Sequence, residues 1–343
     1  MTPPSTQESL RQVLGSMVHV SRVVQGAEVH GLVRGAASSG LLAACVEPVT
    51  VADLATRLGR GDALVADICQ ALDAHGVLVR DGDRYQLSAG WEPMVDPLLG
   101  GLMDDMLAYG AARAAMVEAL VTAPETYWNG NPEHQLAVAR GVTLDPRSPM
   151  AVAVVRMMYD ALPDVCEVLS AGGRYLELGC GVAGTLLCSL QVFPRMTATG
   201  IELSDRLVAE ARERASELAV ADRVRFVAGD VAAFSDDDCY DVAFWSQFFF
   251  PTSTRADALG TAYRSLRHGG TLLCPLMAEP SLLSDKLHSD DGRDAAMDRL
   301  VHGSWGVPAR GADNLADELE EAGFVNVRVI DRGFQRTVLG VRP

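Results

Sequence analysis

Lysine is almost absent from this chain: Lys286 is the only one, and every other basic residue is arginine. Acidic residues number 45 against 29 basic ones, a formal net charge of −16. Such a surface repels polyanions, which argues against nucleic acid as a partner. Long apolar runs are missing too. None reaches the roughly 18 to 20 residues that span a bilayer, and Met1-Thr2-Pro3-Pro4-Ser5-Thr6 lacks the charged and apolar regions of a secretion signal. The expectation is a cytoplasmic chain with no membrane partner. Cysteine occurs seven times but never as C-x-x-C, and the odd total among apolar neighbours favours reduced core thiols over a disulfide scaffold or a zinc knuckle.

What is present suffices for two domains, since 343 residues exceed the usual single-domain size. Residues 1–97 read as mainly helical. Apolar spacing predicts a helix around Leu10 to Val24 and another from Glu28 to about Cys45, ended by Glu47-Pro48. Thr50 sits where an N-cap belongs, ahead of a short helix Val51–Leu58 that stops at Gly59. A helix from Asp62 carries Leu64, Val65, Ile68 and Leu72 on one face. Two strand-like runs, Val77–Arg80 and Arg84–Leu87, then flank the turn signal Asp81-Gly82-Asp83. Helices followed by a hairpin form the winged-helix pattern, used either to bind DNA or to dimerise. Asp62, Asp67 and Asp73 on the last helix, with no arginine there, make a poor surface for phosphates, so dimerisation is the expectation.

Residues 98–165 read as a helical connector and substrate lid, broken at Thr122-Ala123-Pro124, Asn129-Gly130-Asn131-Pro132 and Asp145-Pro146-Arg147-Ser148-Pro149. Tyr109, Tyr127, Trp128 and His134 gather near these breaks. They form either a substrate wall or ordinary helix packing.

From residue 166 to 343 the pattern changes to alternating strands and helices, which implies a parallel sheet covered on both faces. The most informative stretch is Tyr175-Leu176-Glu177-Leu178-Gly179-Cys180-Gly181-Val182-Ala183-Gly184, a buried strand running into a glycine turn and then a helix. Glycines at 179, 181 and 184 leave room for close approach of a ligand to backbone. Glu202 ends the next strand, where a carboxylate suits the two hydroxyls of a ribose. Asp230 ends the third, placed either to accept from an adenine amino group or to cap a turn.

Taken in order, Leu176-Glu177-Leu178-Gly179-Cys180-Gly181, Gly200-Ile201-Glu202-Leu203-Ser204, Ala228-Gly229-Asp230-Val231, Tyr240–Phe244 and Leu266–Leu273 resemble the motifs of class I S-adenosylmethionine-dependent methyltransferases. The winged-helix start extends the resemblance to small-molecule, natural-product enzymes that dimerise through such a domain. The resemblance implies an α/β fold with a Rossmann-like sheet of seven strands, the last hairpin antiparallel and its final strand inserted between its predecessors. S-adenosylmethionine is then the cofactor. Glu177 orients the turn and the methionine amino group, Gly179 and Gly181 allow close approach, Glu202 takes the ribose, Leu203 flanks the adenine, and Asp230 with Val231 reads it. Ser246 and Gln247 line the methionine end. A nicotinamide enzyme fits less well, because two strand-like runs, Val325–Ile330 and Gln335–Val341, close the chain as a hairpin instead of continuing in parallel units.

Methyl transfer from a sulfonium needs alignment of nucleophile, methyl and sulfur, exclusion of water, and a base for the acceptor's proton. Winged-helix O-methyltransferases often carry a histidine after the fourth strand. Here that place holds Ser246-Gln247-Phe248-Phe249-Phe250-Pro251, so His302 and His288, in the segment after the fifth strand, become the candidate bases. Phe248, Phe249, Trp305 and Tyr109 are the candidate acceptor contacts and point to a small aromatic or apolar molecule, methylated on oxygen, carbon or nitrogen. Alternatives are a metal, held by His288, Asp290, Asp291 and His302, that aids C-methylation of a chelating 2-oxo acid, or a cofactor-binding protein without transfer activity.

Overall fold

The structure, a computed structural model, describes residues 6–99, 101–122, 127, 130–276, 287–331 and 336–343. Trp128, Lys286 and the turn at 332–334 lie outside them, as does the break at 123–124. The chain divides into two compact units, Met1–Ala108 and Tyr109–Pro343. Most of the expected 98–165 connector thus belongs to the second unit.

In the first unit α1 (Thr6–Ser38) is one continuous helix where two were expected. The expected gap surrounds Gly26, and an isolated glycine costs about 1 kcal/mol without ending a helix that contains no proline. The break comes instead at Gly40, whose φ of 78° starts the short α2 (Leu41–Ala44). The two-residue strand β1 (Val49–Thr50) leads into α3 (Val51–Leu58). The Thr50 side chain accepts from the Asp53 amide, and Gly59 closes α3 at φ 62°. Next come α4 (Asp62–Ala74), β2 (Leu78–Asp81) and β3 (Arg84–Leu87), the strands ordered β1-β3-β2. Val65, Cys69 and Leu72 carry the buried face of α4, while Leu64, expected on it, points outward at 54% exposure. The spacing of four and three residues from Val65 defines the stripe, and Leu64 falls beside it.

The second unit begins with α5 (Leu102–Thr122, which starts in the first unit), α6 (Pro132–Gly141), α7 (Pro149–Asp160) and α8 (Pro163–Ser170). Asn131 and Ser148, both at expected breaks, cap α6 and α7 with side-chain oxygens, and each is followed by a proline in the first turn. The sheet and its helices follow as β4 (Arg174–Leu178), α9 (Gly184–Val192), β5 (Thr197–Glu202), α10 (Asp205–Glu217), β6 (Val224–Ala228), β7 (Tyr240–Trp245), α11 (Thr252–Ser265), β8 (Leu266–Pro275), α12 (Asp290–Ser304), α13 (Ala312–Glu321), β9 (Val325–Asp331) and β10 (Arg336–Val341). Strand order is β6-β5-β4-β7-β8-β10-β9. The pairs from β6 through β8 are parallel, whereas β10 runs antiparallel to both β8 and β9. The last strand is therefore inserted between its predecessors, as the resemblance implied.

Both faces of the sheet are buried. Tyr175, Ala198 and Val242 pack with α7 and α9 on one side, while Leu176, Leu178, Ala243 and Leu272 pack with α11 and α13 on the other. Continuous apolar strands are the sequence mark of this two-sided burial. The strand order reverses direction between β4 and β7, where the carboxyl ends of the strands open a crevice for ligands.

Candidate functional site

The turn after β4 is held in an unusual backbone shape: Gly179 at φ 73°, Gly181 at 54° and Ala183 at 60°. Two of those three left-handed positions are glycine, as sterics favour. The amides of Gly179 and Cys180 both donate to the Ile201 carbonyl at 3.0 Å, which ties the turn to β5. Glu202 then accepts from the Gly181 amide at 3.0 Å through Oε2 and from the Ser204 amide at 2.9 Å through Oε1. Burial raises the Glu202 pKa, and the amides of Ser204, Gly181 and Leu203 counter it by favouring the carboxylate.

The three glycines of the motif do different work. A Cβ on Gly181 would meet only the Ala139 methyl at 4.0 Å, so that side of the turn is open to a ligand. On Gly179 it would strike the Phe250 ring at 2.8 Å, and on Gly184 it would collide with Thr143 and the Leu144 carbonyl. Gly184 thus serves packing of α9 against the 143–144 segment, not the ligand approach expected of it.

A cleft of about 710 Å³ opens here, lined by Glu177, Gly179, Gly181, Glu202, Ser246, Phe248 and Phe249 together with Tyr127 and Thr185. Seven sequence-predicted residues therefore share one wall. Glu177 is deeply buried: it is 3% exposed, and burial pushes its pKa up to about 8. Its Oε2 has no hydrogen-bond partner among the described residues. Gln247 is not brought to the cleft. Its side chain donates to the Pro275 carbonyl at 3.2 Å and accepts from Arg255 at 3.1 Å, so it braces the turn that presents Ser246 and Phe248. Arg255, a residue that no motif marks, also stacks over Trp245 at 4.6 Å and pairs with Glu318.

Leu203, Asp230 and Val231 line neither that cleft nor its neighbour. Leu203 is exposed, Val231 is buried, and Asp230 caps a short turn by accepting from the Ala232 amide at 2.9 Å through Oδ1. Both readings of Asp230 persist, because Oδ2 takes no part in the cap.

A second cleft, of about 620 Å³, is walled by α5, α6 and α12 through Met116, Leu120, Asn131, His134, Val301, Ser304 and Trp305. Tyr127 lines both clefts. Its ring lies 4.8 Å from Trp305, which in turn stacks on Phe249 at 5.8 Å and 19°. Gln135 holds Tyr127 in place by donating to its carbonyl at 2.6 Å. Tyr109 stands behind this cluster, accepting from Arg113 at 3.1 Å, and Arg113 joins α5 to α12 through Asp298 at 2.6 Å.

The histidines sort differently from expectation. His302 lines neither cleft; its Nδ1 lies 2.8 Å from the Asp298 carbonyl, its ring meets Trp305 edge-on at 5.0 Å, and burial lowers its pKa. His288 is exposed and its carbonyl accepts from Arg293. It is His134 that faces a cleft, half-buried and with no hydrogen-bond partner among the described residues. Asp290 pairs with Arg293. Among the described residues no group of three or more His, Cys, Asp or Glu side chains is placed to hold a metal ion, and no helix is long and apolar enough to cross a membrane.

Residues 176–270 match the family described as a methyltransferase domain. Among curated relatives, a ubiquinone/menaquinone biosynthesis C-methyltransferase of Cereibacter sphaeroides is 31% identical over 126 residues, 36% of this chain and 50% of that protein. The chain spans about half the length of the curated relatives it matches. Solved structures resemble it over nearly the whole length. An O-methyltransferase family protein from Burkholderia thailandensis has a TM-score of 0.70 at 16% identity, covering 95% of this chain and 98% of its own. Human N-acetylserotonin methyltransferase, in complex with S-adenosylmethionine, has a TM-score of 0.69 at 14% identity, covering 100% and 99%. At such identity these similarities establish the fold.

Proposed function

We propose, proceeding from residues 176–270 as a methyltransferase domain, that this chain transfers the methyl group of S-adenosylmethionine to a small aromatic or apolar acceptor. The observation that carries this reading is the single cleft shared by Glu177, Gly179, Gly181 and Glu202. The residues suit the cofactor chemically. Glu177 offers an unpartnered buried carboxyl to an ammonium, Gly181 an open backbone, and Glu202 a carboxylate already aligned by two amides. Bound there, the cofactor supplies an electrophilic methyl on a sulfonium.

The protein's own part is alignment, dryness and removal of a proton. Phe249, Tyr127 and Trp305 form an aromatic partition where the two clefts adjoin, which shields the transfer from water and favours a planar acceptor at that border. His134, with its free imidazole on that wall, accepts the acceptor's proton. A histidine in this role favours a hydroxyl acceptor, whose oxygen must lose a proton to become nucleophilic. Related proteins are named for both carbon and oxygen methylation, so pocket chemistry is the better guide to the atom.

We read the first unit as a winged-helix-type dimerisation domain. Met17, Val18, Val20, Val23 and Val24 are all at least half exposed on α1, an apolar surface suited to a second copy.

Incubation with S-adenosylmethionine and phenols, indoles or 2-oxo acids, followed by mass detection of methylated product, tests the activity. A methylated phenol is the expected result. Tight cofactor binding without turnover on any of these classes would overturn the transferase reading.

A further inference from the structure

Glu177 carries a consequence beyond its place in the cleft. Its sheet neighbours across β5 and β7 are Gly200 and Phe244, so the positions directly beside it on the adjoining strands bear no charge. Tyr159 on α7, Tyr175 on β4, Cys180 in the turn and Cys188 on α9 all feel its charge, and each is an acid. Glu202 lines the same cleft. Burial raises the Glu177 pKa to about 8, and no arginine among the described residues offsets it. A buried carboxylate without a counter-charge is far costlier than the buried acid, so at neutral pH the unliganded protein keeps this carboxyl protonated.

We propose that Glu177 is a proton-exchange site. As the ammonium group at the amino-acid end of the cofactor enters, the carboxyl O–H ionises, its proton leaves to solvent, and the carboxylate pairs with the ammonium. One cation replaces another, so the buried net charge is unchanged. The inference rests on reading this cleft as the S-adenosylmethionine site.

Two consequences follow from linkage. Below pH of about 8 each pH unit strengthens binding of an ammonium-bearing ligand about tenfold, because less work is needed to remove the proton. In the unliganded protein the raised pKa contributes stability that is full below the ordinary glutamate value and lost as pH rises through about 8.

The test is calorimetric titration with S-adenosylhomocysteine near pH 7, in two buffers of different ionisation enthalpy. About one proton released per site is expected, and none with 5′-methylthioadenosine, which lacks the amino-acid end. S-adenosylhomocysteine that binds without proton release, with an affinity flat across the neutral range, would overturn the exchange and leave the cofactor reading standing. Failure of both ligands to bind would sink the cofactor reading and the exchange together. The wild-type protein alone gives these answers. If Glu177→Gln folds, it should release no proton and should also lose the stability decline of the unliganded protein between about pH 6 and 8.5.

Discussion

The two clefts of the second unit are built by opposite means. The first is a backbone construction: left-handed turn residues, amides aimed at Ile201 and Glu202, and a carboxylate held by two N–H groups. The second is a side-chain construction, in which α5, α6 and α12 contribute apolar and small residues and one imidazole, with Tyr127 and Trp305 beside them. A backbone site tolerates little variation, because its donors and its φ angles belong to every residue at once. A side-chain site can be re-lined one residue at a time. One cleft thus suits a constant ligand and the other a variable one, which is how a common cofactor serves many acceptors.

The largest test of this contrast removes the imidazole. With an acceptor that turns over, His134→Gln should lower kcat by about 10² to 10⁴, the usual contribution of a positioned base, while the affinity for S-adenosylhomocysteine stays within about twofold. Steady-state rates set beside calorimetry read both quantities. If cofactor affinity falls with kcat, the clefts are not independent and the division above fails.

Second in size is Glu202→Gln. Replacing the charge weakens the hydrogen bonds from Gly181 and Ser204 and sets an amide NH₂ against one donor, so cofactor affinity should drop about 10- to 100-fold. Acceptor KM at saturating cofactor should barely move. A variant that binds cofactor normally would show that the carboxylate serves only the turn.

The same contrast explains what could be read from the chain. Glu177, Gly179, Gly181 and Glu202 were legible because backbone sites impose residue type and spacing, and the strand alternation fixed where the turn had to lie. The closing hairpin was legible through its two strand-like runs, and the insertion of its last strand only through the family resemblance. The surroundings of Gln247 and Gly184 were not legible for one reason: their neighbours, Arg255 and the 143–144 segment, are distant in sequence, and no local pattern says whether a residue faces a ligand or another part of the chain. His134 stood among the possible wall residues, but its rank over His302 depended on which helix faces present themselves to the cleft. On α1 the expected gap failed because Gly26 weakens a helix without ending it.

A smaller effect should follow from Phe249→Leu, which removes the stacked contact with Trp305 while keeping an apolar side chain in the partition. An aromatic pair contributes about 0.5 to 1.5 kcal/mol beyond its burial, so acceptor KM should rise about fivefold with S-adenosylhomocysteine affinity nearly unchanged. A loss of cofactor affinity equal to the loss in KM would place Phe249 on the cofactor's side of the partition.

The smallest expected change decides between the two readings of Asp230. Its Oδ1 caps the turn at Ala232, and its Oδ2 is the atom available to an adenine amino group. Asp230→Asn can keep the cap through its carbonyl oxygen but turns an NH₂ donor toward the adenine donor. Asp230→Ala loses both. If the adenine reading holds, Asn should weaken S-adenosylhomocysteine binding about two- to fourfold at unchanged thermal stability, and Ala should add about 1 kcal/mol of destabilisation from the lost cap. If the residue is only a cap, Asn binds like the wild type and Ala loses stability alone. The comparison of the two variants matters more than either, because a lost cap also loosens the Val231 amide, and only a binding defect in Asn without a stability defect isolates the carboxylate's own contact.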